Sequence, residues 1–219
     1  MTTVVIIAKE CVPGRVKTRL SPPFSLEEAA RIAAASLDDV IAAVAALPAS
    51  RRVLCFAGDR VPDLASALGF DVIPQGEGSL DERLARLFDE MTGPTLLVGM
   101  DTPQLAAHQV AAVFGTPAAG DPAFDAWLGG ATDGGFWALW MRAPRGDVIR
   151  GVPMSRPDTG AVQLARLRDA GLAVGALPVL TDVDTMDSAA AVAAAAPGTR
   201  FASEYRRLAQ GASRAGAGS

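Results

Sequence analysis

The sequence predicts an α/β protein: a single domain with a mostly parallel sheet, helices on both faces, and a small β-hairpin insertion. Three observations carry this. Short β-branched, apolar runs alternate along the chain with longer Ala-rich or amphipathic stretches. The runs read as strands buried on both faces, the signature of a parallel sheet covered by helices. The chain is also long enough to bury a core: of 219 residues, 50% are hydrophobic and 20% charged. A domain of that size hides roughly 70% of its unfolded surface and needs no disulfide or metal to fold.

The elements follow in order. Residues 3–8 (TVVIIA) form the first strand, and a Pro- and Gly-containing loop follows it. Ser25 caps a helix that runs to about Leu47, with Glu28 completing a capping box. Residues 52–57 are a second strand, 62–68 a short helix and 70–74 a third extended piece. Ser79 opens the next helix, with Glu82 at the box position, running to about Met91. The TLLVGM run at 95–100 is the clearest buried strand and ends at Asp101, and 105–114 reads as helix. Residues 125–141 break the alternation and predict two strands around a tight Gly-rich connection. A helix over 157–170, a last strand over 173–179, and closing helices over 186–196 and 203–210 complete one domain spanning 1–210. The GASRAGAGS stretch, 211–219, reads as a disordered tail.

Composition excludes several functions. Lys plus Arg number 20 against 24 Asp plus Glu, a net charge of −4, which argues against a nucleic-acid or anionic-membrane binder. Two cysteines, Cys11 and Cys55, and one histidine, His108, cannot build a thiolate or imidazole metal site. A metal would therefore sit on oxygen ligands, which favours Mg²⁺ or Mn²⁺. No signal peptide or membrane-length apolar run stands out, so a soluble, reduced, cytoplasmic protein is expected. A homodimer would be ordinary for an enzyme of this size.

Ligands of open parallel sheets bind beyond the carboxyl ends of the strands, so chemistry is sought in residues directly after strands. The loop 9–20 (KECVPGRVKTRL) sets Lys9, Arg15, Lys17 and Arg19 against Glu10 alone, with Gly14 allowing close backbone approach. Such a loop suits phosphate oxygens, although it is neither a Walker A nor a dinucleotide motif; the alternative is a solvated basic loop. Asp101 ends a hydrophobic strand, where it either holds a cation or caps the following helix. Asp182 and Asp184 in TDVDT again follow a strand, both on one side of an extended segment; here too Asp184 or Thr185 could instead start a helix. Asp133 lies between paired glycines, and the aromatics after it also fit a hairpin packing into the core. His108 reads as a surface residue and Cys55 as core, while Cys11, in the basic loop, is expected to have a lowered pKa.

PGRVKTRL, VGMDTPQL, GGATDGGFWALWM and LTDVDT, in this order, together resemble the DUF2064 family. That bacterial group of small transferases has the nucleotide-diphospho-sugar transferase (GT-A-like) fold and is similar to molybdenum-cofactor and phospholactate nucleotidyltransferases. The resemblance covers roughly residues 3–205. It implies that Gly14–Arg19 holds the nucleotide's phosphates, with Lys9, Arg15, Lys17, Thr18 and Arg19 as contacts. It further implies metal ligands at Asp101 and Asp184, and an acceptor side lined by Thr132, Asp133, Gly134 and Gly135. The stretch QGEGSLDERL, Gln75–Leu84, resembles the family's loop before a helix, which implies that it touches base or acceptor, with Gln75 as a nucleotide contact. VPMSRPDTGA, with Ser155 on the acceptor side, departs from the Trp-Ser-Thr version of many members, a departure that bears on the acceptor rather than the fold.

Two reactions share such a site. In glycosyl transfer from a nucleotide-diphosphate sugar, Lys17, Arg19 and the metal steady the departing diphosphate and Asp133 takes the proton of a small-molecule acceptor. In nucleotidyl transfer from a nucleoside triphosphate, an anionic phosphorylated acceptor needs no base and positioning dominates. The resemblance favours the first, and the dense basic cluster suits the second. A third possibility is a module that binds nucleotide without turnover.

Overall fold

The computed structural model describes residues 1–115 and 123–216, the side chains of 212–216 excepted. It begins with β1 (Thr3–Lys9), α1 (Leu26–Ala45), β2 (Arg51–Ala57), α2 (Asp63–Ala67), β3 (Asp71–Pro74) and α3 (Leu80–Glu90). Next come β4 (Thr95–Gly99), α4 (Ala111–Phe114), β5 (Ala126–Ala131) and β6 (Phe136–Met141). The chain closes with α5 (Thr159–Asp169), β7 (Val174–Leu180), α6 (Met186–Ala195) and α7 (Arg200–Gly216).

Among the described residues the strands form one 7-stranded sheet in the order β3–β2–β1–β4–β6–β5–β7. Val5 of β1 pairs in parallel with Val53 of β2 and Leu97 of β4. β6 runs antiparallel to both neighbours, Leu139 facing Leu97 on one side and Leu128 on the other. β5 returns to the parallel direction beside β7. The predicted hairpin is thus present, but it is not an appendage: it is spliced into the middle of the sheet and carries β7 on its far side.

Strand side chains alternate between two cores, as a pleated strand requires. Val4, Ile6, Leu54, Leu96 and Val98 pack against Leu37, Val40, Ile41 and Val44 of α1. Val5, Val53 and Leu97 pack on the other face against Leu84, Leu87 and Phe88 of α3 and Leu167 of α5. Each such side chain contributes about 1.5–3 kcal/mol by leaving water. α6 and α7 form a further layer outside α1, burying Phe24, Ile32 and Phe201. Among the described residues no helix is long and apolar enough to cross a membrane.

Two helices and the expected tail differ most from their predicted bounds. The helix expected over 105–114 is split into a 3₁₀ turn, Ala107–Val110, and the single turn α4. The Gln109 side chain takes the Ala106 amide (2.8 Å), and Val110 leaves helical geometry at φ −114°, so the two turns do not merge. α7 starts at Arg200 rather than 203 because Asp39, on α1, accepts from the Arg200 and Phe201 amides at 3.0 and 2.8 Å. The same helix continues through 211–216, where a tail was expected; 217–219 lie outside the described residues.

Candidate functional site

Because β6 alone among the described strands is reversed, the carboxyl ends of β1, β4, β5 and β7 open on one edge, together with the 132–135 turn that enters β6. A cleft of about 930 Å³ lies there. It is lined by Lys9, Arg15, Lys17, Thr18, Arg19, Gln75, Asp101, Thr132, Asp133, Gly135, Ser155 and Asp184, residues the sequence had singled out. Gly14 and Gly134 do not line it. Gly14 makes the turn of the basic loop at φ +76°. Gly134 is pressed against the neighbouring loop: a Cβ there would fall 1.8 Å from the Pro157 carbonyl oxygen.

The basic loop is held from both ends. The Glu10 carboxylate accepts from the Asp59 amide at 2.9 Å, tying the loop to the segment after β2. At its other end Lys17 adopts left-handed backbone (φ 47°, ψ 35°) and sends Nζ to Asp101 Oδ1 at 2.6 Å, its side chain only 7% exposed. Arg19 reaches Asp184 Oδ2 at 2.5 Å. Lys17 and Ser155 are the two non-glycine residues with positive φ among those described, and both line the cleft. Strained backbone of this kind costs roughly 1–3 kcal/mol and clusters where positioning matters.

The carboxylates come from three strand ends. Asp101 follows β4, and its carbonyl accepts from the Val183 amide at 2.9 Å, which pins the segment after β7 beside it. That bond bends the TDVDT segment, so Asp182 and Asp184 do not share one environment as an extended chain would give. Asp184 stays half-exposed with Arg19, and Thr185 caps α6, accepting from the Ser188 amide at 3.2 Å. Asp182 turns inward, and its Oδ1 is shut from solvent without a hydrogen-bond partner. Burial, then the nearby charges of Asp101 and Asp133, push its carboxyl up to about 7, against the opposing pull of Lys17. Asp133 Oδ1 accepts from the Gly135 amide at 2.8 Å, which fixes the carboxylate at the mouth of the turn.

An orphaned, buried carboxylate oxygen crowded by like charge is a setting that a hard cation relieves. Among the described residues no three Asp, Glu, His or Cys side chains form a ready metal cage. Asp101 and Asp182 fit instead the Mg²⁺ type of site, where one or two carboxylates act with substrate phosphates.

Arg83, Leu80 and Leu84, from the 75–84 stretch, and Met154 and Arg156, from the 152–161 stretch, line the cleft without having been named individually; Phe136, expected as a core aromatic, lines it as well, and Ile7 and Leu97 complete its apolar wall. Arg83, on an amphipathic helix, looks by itself like any solvated charge; its sequence signals are the 75–84 stretch it belongs to and Gln75, directly after β3. Gln75 donates to the Ala8 and Cys55 carbonyls (2.7 and 3.3 Å) and accepts from Arg83 at 2.6 Å. Cys11 corrects an expectation: burial first, then Asp101, pushes its thiol up to about 11, so it is no activated nucleophile. His108 is exposed and Cys55 buried.

The sheet order and the cleft at its carboxyl edge define the fold class of nucleotide-diphospho-sugar transferases. The chain belongs to the DUF2064 family, described as an uncharacterized protein conserved in bacteria, whose profile matches residues 40–156. Among solved structures, it is similar to a protein of Desulfovibrio desulfuricans G20 provisionally assigned as a nucleotide-diphospho-sugar transferase. That pair shares 25% identity over 95% of this chain and 94% of the other, with a TM-score of 0.78. A cytidylyltransferase of Leptospira borgpetersenii shares the fold at 10% identity, covering 97% of this chain and 95% of that one, with a TM-score of 0.58. Glucosyl-3-phosphoglycerate synthase of Mycobacterium tuberculosis, in complex with Mn²⁺, UDP and glucosyl-3-phosphoglycerate, does so at 11% identity, 87% and 75% coverage and a TM-score of 0.50. No curated protein matches the chain.

Proposed function

We propose that the chain is a metal-assisted, nucleotide-dependent transferase that moves a glycosyl group from a nucleotide-diphosphate sugar to a small hydroxyl acceptor. The observation that carries this is the strained Lys17, its ammonium sequestered against Asp101, opposite the orphaned Asp182 oxygen. Lys9, Arg15, Lys17, Thr18 and Arg19 bind the diphosphate and offset the charge it gains on leaving. Asp101 and Asp182 hold Mg²⁺ or Mn²⁺, with Asp184 kept by Arg19 for the loop. When bound, that cation neutralises diphosphate oxygens. Asp133, held through one oxygen by Gly135, keeps the other for the acceptor's proton. Thr132, Gly135 and Ser155 line the acceptor's side of the cleft.

A second reading, nucleotidyl transfer from a nucleoside triphosphate, is favoured by one observation. Among the described residues six cationic side chains line the cleft against four carboxylates, and that excess of two, together with a divalent cation, offsets the charge of a triphosphate. The leaving group decides between them. With Mg²⁺ or Mn²⁺ present, release of nucleoside diphosphate from a nucleotide-sugar supports glycosyl transfer, and release of pyrophosphate from a triphosphate supports nucleotidyl transfer. Binding without either product points to a non-catalytic nucleotide module. Absence of binding to any nucleotide removes the proposal.

A further inference from the structure

The strand order distinguishes the two ends of the cleft. Asp101, Asp133 and Asp182 follow β4, β5 and β7, so proton transfer and metal binding belong to that end. The basic loop, leaving β1, lies in the middle. On the β3 side, where Gln75 leaves the sheet, Leu80 and Leu84 of α3 line the cleft with Arg83 between them in sequence, and Ile7 of β1 continues the apolar wall inward.

Arg83 is half-buried, and among the described residues no carboxylate pairs with it. Its guanidinium is nevertheless held. NH1 donates to Gln75 Oε1 at 2.6 Å and Nε to the Ser79 carbonyl at 3.5 Å. Gln75 is 7% exposed, and its amide is oriented by two main-chain carbonyls, Ala8 and Cys55, that can accept only from its nitrogen. A buried amide locked to β1 and β2 thus aims a flat, donor-only fork into an apolar slot, and leaves the NH2 edge free.

Resting on the nucleotide-dependent reading above, we infer that Arg83 selects the donor's nucleobase, and that it selects a base presenting two adjacent acceptors. With the reacting end fixed near Asp133 and the phosphates on the basic loop, a donor lying across the cleft puts its base at the Arg83 end. The apolar wall covers the faces of a flat ring. The fork matches guanine (O6 and N7) or cytosine (O2 and N3), because a guanidinium donates and never accepts. Adenine sets an amino donor beside its N7, and that donor would face N–H groups with no acceptor between them.

The test is binding of GDP, CDP, UDP and ADP in the presence of Mg²⁺ by titration calorimetry, to the wild type, Arg83→Gln and Arg83→Lys. The wild type is expected to bind GDP or CDP at least about tenfold more tightly than ADP. Arg83→Gln should shrink that ratio to about threefold or less through weaker GDP or CDP binding with ADP binding no weaker than before, and Arg83→Lys, which keeps the charge but loses the fork, should also shrink it. Equal weakening for every base would make Arg83 a phosphate contact and overturn the inference, as would an unaltered ratio or a wild type blind to the base. Either result leaves nucleotide binding standing. If no diphosphate binds the wild type, the nucleotide-dependent reading falls as well.

Discussion

At the residue scale, Asp182 shows how much of this site is electrostatic. Its ordinary ionisation, near 3.8, applies in the unfolded chain, whereas burial and the Asp101 and Asp133 charges raise it to about 7 in the fold. Between those values the folded state holds the extra proton, so stability falls as pH rises from about 4 to 7. Without divalent metal, the melting temperature is expected to decline over that range, and Asp182→Asn should flatten the decline. A variant with the wild-type slope would show that Asp182 is not the group responsible. A divalent cation competes with the same proton, so Mg²⁺ affinity should strengthen from pH 6 to 8. Ser155 offers a second, independent check. It is exposed, has φ 58°, and lines the cleft. Ser155→Gly removes the left-handed strain and should raise stability by roughly 0.5–1 kcal/mol, about 2 °C in melting temperature. No rise on thermal denaturation would mean that the serine side chain is stabilising in a way that offsets its backbone.

At the element scale, two loops are joined into one wall. The Gly160 amide donates to the Gly134 carbonyl at 2.8 Å, and the space at Gly134 is closed by the Pro157 carbonyl. Gly134→Ala puts a methyl against backbone as well as forcing a positive φ, so it should cost more than about 2 kcal/mol. Gly171→Ala has the same φ problem, at +77°, with open space around it, and should cost only about 1 kcal/mol. Equal melting temperatures for the two variants would mean that the loops yield and the wall is soft. This wall also marks where the sequence stopped being legible. Strand and helix types were readable from periodicity and capping boxes, because those signals are local. The splice of β5 and β6 between β4 and β7 was not, since strand order is set by long-range pairing. The start of α7 was missed for a related reason: its cap, Asp39, comes from a distant helix. Most of the site was legible because strand ends are. Arg83 was legible only as part of the 75–84 stretch, because the group that orients it, Gln75, lies across a turn, and Asp182 could not be told from Asp184 until the Val183–Asp101 bond bent the segment.

At the scale of the whole molecule, an acidic chain of net charge −4 gathers, among its described residues, six cationic side chains around one cleft with four carboxylates. An excess of positive charge confined to one concave edge, on a surface otherwise negative, favours a compact anion arriving there. The consequence is measurable through linkage. A nucleotide at about 100 times its dissociation constant stabilises by roughly 2.7 kcal/mol, a rise of about 5–10 °C for a chain of this length. Two variants separate the contributions. Lys17→Ala leaves Asp101 able to reach water, since that side chain is 38% exposed, so the unliganded melting temperature should move little while the nucleotide-induced rise is largely lost. Asp101→Ala should keep a smaller rise, but one no longer enhanced by Mg²⁺ or Mn²⁺. Raising KCl from about 0.05 to 0.5 M shortens the screening length from roughly 14 to 4 Å, and should weaken the wild-type response far more than it alters the unliganded protein. A rise that survives Lys17→Ala and high salt together would mean that the nucleotide binds elsewhere, and that the basic loop is an ordinary solvated loop held in place by Glu10 and Asp101.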